Sequence, residues 1–279
     1  MMEKLRIKYF TEISSERKNN QDNFYILGIA NWLSESTLFG EMSTDMKSPR
    51  VLAVFDGMGG ESAGEKASLM AATCMEQFSQ DINNMSTKHD VTNALETYYS
   101  LFMRKMDDVV DDEYAVCGTT CAGIVIEQRQ MIPFWLGDSR VYVLRKGKLD
   151  RVTTDHSLAQ IKIDNGFMTE EDARNTEIWH TLSAYMGQCG AVFSVGDSIE
   201  IQRGDKIFIC SDGITDLCLD KELEQILCCE GRKIMERLSK LAETRGSDNC
   251  TAILIDIVDE SVFGLGKKVI KEVGRCLRL

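Results

Sequence analysis

An α+β sandwich, two mainly antiparallel sheets held between layers of helix, is the fold class this sequence predicts. Three observations lead there. Helical patterns come in two pairs, near residues 61–109 and 220–245, with blocks of strand-like runs before, between and after them. Those runs follow one another through short turns, like an antiparallel meander, instead of alternating with helices as parallel units do. Several of them also end in an aspartate beside a glycine, which gathers acidic groups at strand ends.

The first strand is Leu5-Arg-Ile-Lys-Tyr9, whose strict alternation marks a half-buried strand. The polar stretch Arg17 to Asn23 is unsuited to a core and leads into a second strand, Phe24 to Ala30. Residues 34–50, with Ser, Thr, Gly and Pro49 and little periodicity, read as a surface loop. Val51 to Phe55 is a continuous apolar run, the mark of a buried strand. Beyond the glycines at 57, 59 and 60, Ala63, Ala67, Met70, Ala71, Cys74 and Phe78 recur at helical spacing, so a helix begins near Glu61. Asp90 is the expected N-cap of a second helix, with Val91, Leu95, Tyr98, Phe102, Met106 and Val109 on one face.

Strands are then expected at Gly118–Ile126, Met131–Leu136, Arg140–Arg145 and Lys148–Val152. Two short helices follow, Asp155–Gly166 and Thr169–Arg174, the second capped by Thr169, within an excursion that interrupts the strands. Strands resume at Ser198–Gln202 and Lys206–Cys210, helices cover 220–229 and 231–245, and a last strand covers Cys250–Val258.

The 279 residues give ample length for a core, and 43% hydrophobic content is that of a soluble globular protein. A net charge of -12 excludes the basic footprint that nucleic-acid binding needs. It also means that an anionic substrate requires a locally positive site, which bound metal supplies. The ten cysteines show no Cys-x-x-Cys and lie mostly in apolar runs, as in a reduced, cytoplasmic protein. Met1 to Phe10 alternates charged with apolar residues, unlike a signal peptide, and no run approaches the ~20 apolar residues that span a bilayer.

The chemistry centres on Val51-Leu-Ala-Val-Phe-Asp-Gly-Met-Gly-Gly60, where an apolar strand runs into Asp56 and a glycine turn. Phe134-Trp-Leu-Gly-Asp138 and Ile207-Phe-Ile-Cys-Ser-Asp-Gly213 repeat the pattern, and Asp248 inverts it just before the run Cys250 to Val258. Four carboxylates at four strand ends look like one cluster for hard cations, which prefer oxygen ligands. Divalent ions so held activate water and clamp a phosphate. Other phosphate chemistries lack their residues. No Cys is followed six positions later by Arg, no Asp-x-Asp occurs, and Gly147-Lys148 and Gly266-Lys267 lack the Walker spacing.

Arg17-x-x-Asn20-Gln21-Asp22, Asp56-Gly-Met-Gly-Gly60, Gly118-Thr-Thr120, Gly137-Asp-Ser-Arg140, Thr154-Asp-His-Ser157, Ser211-Asp-Gly213 and Ser247-Asp-Asn249 together resemble the ordered motifs of the metal-dependent Ser/Thr protein phosphatases, the PPM or type 2C family, in its bacterial form. The resemblance covers about residues 5–258, so 1–258 is expected as the phosphatase domain, with 157–187 as a flap beside the site. It implies a four-layer αββα sandwich flanked by antiparallel helix pairs, with Mn²⁺ or Mg²⁺ as cofactor: two core ions and a weaker third. It further implies phosphoserine and phosphothreonine hydrolysis on phosphorylated proteins, opposed by a Ser/Thr kinase.

By position, the resemblance makes Asp56 a bridge between two metals, with the Gly57 carbonyl completing the first. Asp212 and Asp248 would hold the second metal, and Asp138 with Asp212 the third. Asp22 would orient the attacking water and Arg17 would grip the substrate phosphate. Gln21 stands where many members carry Glu, and Met58 where many eukaryotic members carry a His proposed to protonate the leaving group. The competing class is a catalytically weak, phosphatase-like module that only binds phosphoproteins. Its mark is loss of metal carboxylates, and here every one is present.

Outside these motifs, His156 reads as a structural hydrogen-bonding residue, His89 and His180 have no supporting pattern, and Trp135 reads as core. Cys228 and Cys229 are expected on a helix, without a redox role. From 259 to 279 a basic tail is expected. Val262 to Leu279 carries five Lys/Arg against one Glu, with Val262, Leu265, Val269, Val273 and Leu277 on one helical face.

Overall fold

The computed structural model of the protein describes residues 3–30, 38–59, 63–82, 87–107, 117–229 and 232–259. In chain order the first strands are β1 (Glu3–Glu12), β2 (Asp22–Ile26), β3 (Ile29–Ala30), β4 (Leu38–Asp45) and β5 (Arg50–Gly59), followed by helices α1 (Ala63–Asp81) and α2 (Lys88–Asp107). Then come β6 (Cys117–Thr119), β7 (Cys121–Glu127), β8 (Gln130–Leu136), β9 (Arg140–Arg145) and β10 (Lys148–Arg151). The excursion holds α3 (Leu158–Asp164), α4 (Glu170–Arg174) and a 3-10 turn at Glu177–His180. The chain then forms β11 (Ser194–Val195), β12 (Ile199–Glu200), β13 (Lys206–Cys210), α5 (Asp212–Thr215), α6 (Asp220–Leu227), α7 (Arg232–Arg245) and β14 (Cys250–Asp259).

Two sheets result, one of six strands in the order β10-β9-β13-β14-β1-β4, the other of eight with the path β11-β8-β7-β5-β2-β3, β12 on β8 and β6 on β5. Every strand pairing is antiparallel. Because side chains alternate across a strand, each strand feeds two cores. Leu5, Ile7, Phe24, Leu52, Val54, Ile124, Val141, Ile209 and Ile255 meet between the sheets. Tyr25, Ala53 and Phe55 face α1 and α2 instead, through Ala67, Phe78 and Tyr98. On the other side Phe10, Tyr142 and Phe208 pack on Ile214, Leu223 and Leu238 of α5, α6 and α7. These three cores between four layers make the αββα sandwich. Each buried Phe, Leu or Ile contributes roughly 1.5–3 kcal/mol.

Several expectations need correction. The surface loop expected over 34–50 contains β4, paired with β1 from Leu38 opposite Thr11 to Asp45 opposite Lys4. Gly40, taken as a loop signal, is there because any side chain would collide with the Tyr9 ring. The strand expected over 24–30 is a hairpin, turned at Leu27 and Gly28, both at positive φ (51° and 86°), as a two-residue hairpin turn requires. The N-cap of α2 is Thr87. Its hydroxyl accepts from the Asp90 N–H (3.2 Å), and the Asp90 carboxylate reaches back to Thr87, so Asp90 is the third helical residue of a capping box.

The single meander expected from 118 to 152 divides between sheets. β7 and β8 pair in one and β9 and β10 in the other, the chain crossing at Gly137–Ser139. The strand at 198–202 shortens to Ile199–Glu200, and the helix at 155–166 to Leu158–Asp164. Thr169 caps α4 as expected, in a capping box with Asp172. Cys228 is the C-cap of α6 rather than within it. Trp135 is not core. It is half-buried, its indole N–H donates to the Thr154 carbonyl (2.7 Å), and its ring stacks on His156. Gly60, Glu61 and the basic tail beyond Asp259 lie outside the described residues.

Candidate metal centre

The acidic residues collect at one edge of the sandwich, and both sheets contribute. Asp22 opens β2 directly opposite Asp56 on β5. Asp138 sits in the crossing between β8 and β9, Asp212 is the first residue of α5 just after β13, and Asp248 precedes β14.

Local chemistry fixes each one. Asn20 accepts from the Asp22 N–H (3.0 Å) and donates to Thr11 (2.7 Å), whose hydroxyl pairs with Thr251. Thr120 accepts from the Asp56 N–H (3.0 Å) and returns its own N–H to the Asp56 carbonyl (2.8 Å), which Thr119 also reaches. Gly57 lies so near α1 that a side chain there would strike the Gly64 carbonyl. Gly137 has φ +116°, and a Cβ would come 2.7 Å from the Thr120 side chain. Only glycine makes that crossing without strain.

His156 secures the same crossing. Its backbone N–H donates to the Gly137 carbonyl (2.9 Å), Nδ1 accepts from the Gly137 N–H (3.2 Å), and Nε2 meets Ser194 Oγ (3.0 Å). Burial holds its imidazole below the usual value, consistent with a neutral acceptor. Next to it, buried Arg140 forks onto Asp155 through Nε (3.0 Å) and Nη2 (2.6 Å).

The carboxylates act on one another. Burial, with Asp248 and Asp212 near, pushes Asp22 up to about 7 despite the Ser211 hydrogen bond. Asp56 is pushed well up by burial and by Asp22 and Asp212, and Asp138 by burial and Asp212. Asp248 is also raised, by burial and Asp212, against the pull of Arg17, whose Nη2 lies 2.6 Å from its Oδ2. Burial works on Asp212 too, but His180 and a hydrogen bond from Asp56 outweigh it and keep Asp212 ionised.

Two residues absent from the sequence-based set belong here. His180 Nδ1 lies 3.8 Å from Asp212 and 3.6 Å from Asp216, charge contacts rather than hydrogen bonds, and Asp212 lifts it to about 9. One ligand atom from each of His180, Asp212 and Asp216 falls within 4.8 Å of the others. Asp216 is four residues beyond Asp212, on the same helical face, which the sequence displays. His180 has no local signal. The excursion delivers it, held by the Trp179 N–H to Asp216 (2.8 Å), by Arg174 over the Trp179 ring (4.5 Å to its centre), and by Arg174 Nη1 to the Thr215 carbonyl (2.8 Å).

Divalent cations fit this set. Asp212 Oδ1 is buried with no hydrogen-bond partner among the described residues, and burial with mutual repulsion raises Asp22, Asp56, Asp138 and Asp248, a strain that a bound cation would relieve. An all-aspartate set with one backbone carbonyl suits Mn²⁺ or Mg²⁺ better than softer metals.

Residues 41–252 match the family described as protein phosphatase 2C. The chain belongs to that family of metal-dependent phosphoprotein phosphatases. It is 29% identical over 212 residues to the serine/threonine phosphatase stp of Listeria innocua, covering 74% of this chain and 84% of the relative. The crystal structure of the Mycobacterium tuberculosis serine/threonine phosphatase PstP superposes with a TM-score of 0.75 at 26% identity, over 92% of this chain and all of that one. A PstP catalytic domain in complex with two manganese ions gives 0.70 at 26% identity, over 91% of this chain.

Proposed function

We propose that the chain hydrolyses phosphoserine and phosphothreonine in proteins, as a domain spanning residues 1–258, at the aspartate-lined edge of the sandwich. Asp56, the Gly57 carbonyl, Asp138, Asp212 and Asp248 are the metal ligands in this reading. The observation that carries it is the convergence of carboxylates from both sheets around Asp212, whose Oδ1 is buried and unpartnered.

Bound divalent ions lower the pKa of water and neutralise the phosphoryl oxygens. The chain supplies the rest. Asp22, held by Ser211 at 2.7 Å and opposite Asp56 in the sheet, orients the attacking water. Arg17 now spends its guanidinium on Asp248. With Asp248 holding a cation, that guanidinium would be free for the substrate phosphate, for which its planar fork is suited.

The substrates in this reading are made by an opposing Ser/Thr kinase, in the cytoplasm. Free thiols at all nine described cysteines support a reducing compartment. No helix among the described residues is long and apolar enough to cross a membrane. The experiment is dephosphorylation of a mixed phosphoprotein pool with Mn²⁺ and after exhaustive chelation. Turnover is expected only with metal, and full turnover at verified zero metal overturns the reading.

A further inference from the structure

Beside the aspartate centre, on the side of α7, is a cleft of about 260 Å³ whose lining includes Glu12, Ser14, Arg17, Ala242, Glu243 and Asp248. Its construction follows from β1. Phe10 packs toward α7, so Glu12, two residues on, points the same way. Ser14 ties the wall of the cleft to the end of α7, its hydroxyl donating to the Gly246 carbonyl (3.1 Å) and its N–H to Asn249 Oδ1 (3.2 Å). At this size, just under the ~300 Å³ where small-molecule pockets begin, the cleft suits one extended side chain.

Its charge is unbalanced. Three carboxylates, of Glu12, Glu243 and Asp248, line it against one cation, Arg17, which lies 2.6 Å from Asp248 and which the reading above assigns to the substrate phosphate, so Glu12 and Glu243 are left without a cation in either state. Glu12 is 7% exposed, and its Oε2 is buried with no hydrogen-bond partner among the described residues. A buried carboxylate oxygen without a donor is costly, and a cationic donor removes the cost. Lys240 and Arg245 of α7 are exposed, and among the described residues neither pairs with Glu12.

We propose that this cleft receives a lysine or arginine side chain of the phosphoprotein substrate, with Glu12 as its buried ionic partner and Glu243 at its mouth. Arg17 and Asp248 lie on the shared wall, so the cationic side chain enters beside the phosphate-handling pair. The subsite therefore selects phosphoserines with a basic residue close by. It rests on the phosphatase reading above and adds the substrate class to it.

The test uses phosphoserine peptides in which a single lysine is walked along either side of the phosphoserine, against the same peptides with alanine or norleucine. kcat/KM is measured at saturating Mn²⁺ for the wild type, Glu12→Gln and Glu243→Lys. At one lysine position the wild type is expected to gain roughly tenfold over both neutral peptides, mainly through KM. The gain should shrink as salt is raised. Glu12→Gln brings the ratio toward one, and Glu243→Lys, at an exposed position, does so without disturbing the core. Equal rates for lysine and norleucine peptides in the wild type, or an unchanged ratio in both variants, overturn the subsite. Failure of every peptide, alanine included, removes the phosphatase reading and the subsite with it.

Discussion

Ser211 and Asp22 join the two sheets at the site, the Ser211 hydroxyl donating to Asp22 Oδ2 at 2.7 Å while accepting from the Thr251 N–H at 3.0 Å. Both residues are almost wholly buried. Ser211→Ala strips a donor from Asp22 and an acceptor from Thr251. The expected cost is about 1–3 kcal/mol of stability, read from urea unfolding, with reduced kcat and an unchanged number of bound ions. Wild-type stability in this variant removes Ser211 as the cross-sheet tie.

Without metal, the protein should lose stability as pH rises. Burial lifts Asp22 from 3.8 to about 7 and Asp216 to about 6, while Asp212 lifts His180 from 6.5 to about 9. Asp56, Asp138 and Asp248 are raised as well. A folded-state pKa above the unfolded one gives stability that is complete below the unfolded value and lost as pH climbs through the folded value. Asp212, lowered, has the opposite sign and favours folding above its unfolded value. The balance predicts a falling Tm between about pH 4 and about pH 9 for chelated protein, and a much flatter profile once Mn²⁺ is added. A rising Tm in chelator over that range contradicts the assignment.

Asp212→Asn should cut turnover by at least ~100-fold while the circular dichroism stays unchanged. Asp212 is the carboxylate whose charge acts on all of Asp22, Asp56, Asp138, Asp216 and Asp248. Asp138→Ala should weaken only one class of ion in calorimetric titration and lower the rate less. Normal Mn²⁺ affinity and rate in Asp212→Asn excludes it as a shared ligand.

Trp179→Phe keeps an aromatic ring under Arg174 but deletes the N–H bonded to Asp216 at 2.8 Å. The expected outcome is faster proteolysis within residues 157–187 and a several-fold lower rate on phosphopeptides. Unaltered cleavage kinetics shows that the Arg174 contacts alone hold the excursion.

The centre was largely legible because its pattern is local: an apolar run ending in Asp beside Gly marks Asp56, Asp138 and Asp212 without any knowledge of the fold. Asp216 is equally visible, four residues past Asp212, but it follows no strand and so lacks the strand-end pattern that marks the others. His180 and Trp179 had no such mark, since only the tertiary path of the excursion sets them against α5. The division of strands between sheets was hidden for a different reason. β8 and β9 alternate in the same way whichever sheet they join, and the crossing takes only Gly137 to Ser139. β4 was masked by Gly40, which serves the Tyr9 ring rather than a turn.

β1 lies between β14 and β4, so one neighbour of the chain's first strand is its last described strand. Synthesis at ~5–20 residues per second releases β2, β5, β7 and β8, with Asp22 and Asp56, many seconds before Cys250–Asp259 emerges. Until then the hydrogen-bonding edge that β1 offers to β14 stays open, an invitation to pair with other chains, and such distant pairing is slow to form. Asp248, at the threshold of that strand, is the last carboxylate of the candidate centre to arrive. A chain not yet made that far carries Asp56, Asp138 and Asp212 without Asp248, so in the reading proposed above its catalytic capacity waits until the last described strand has docked.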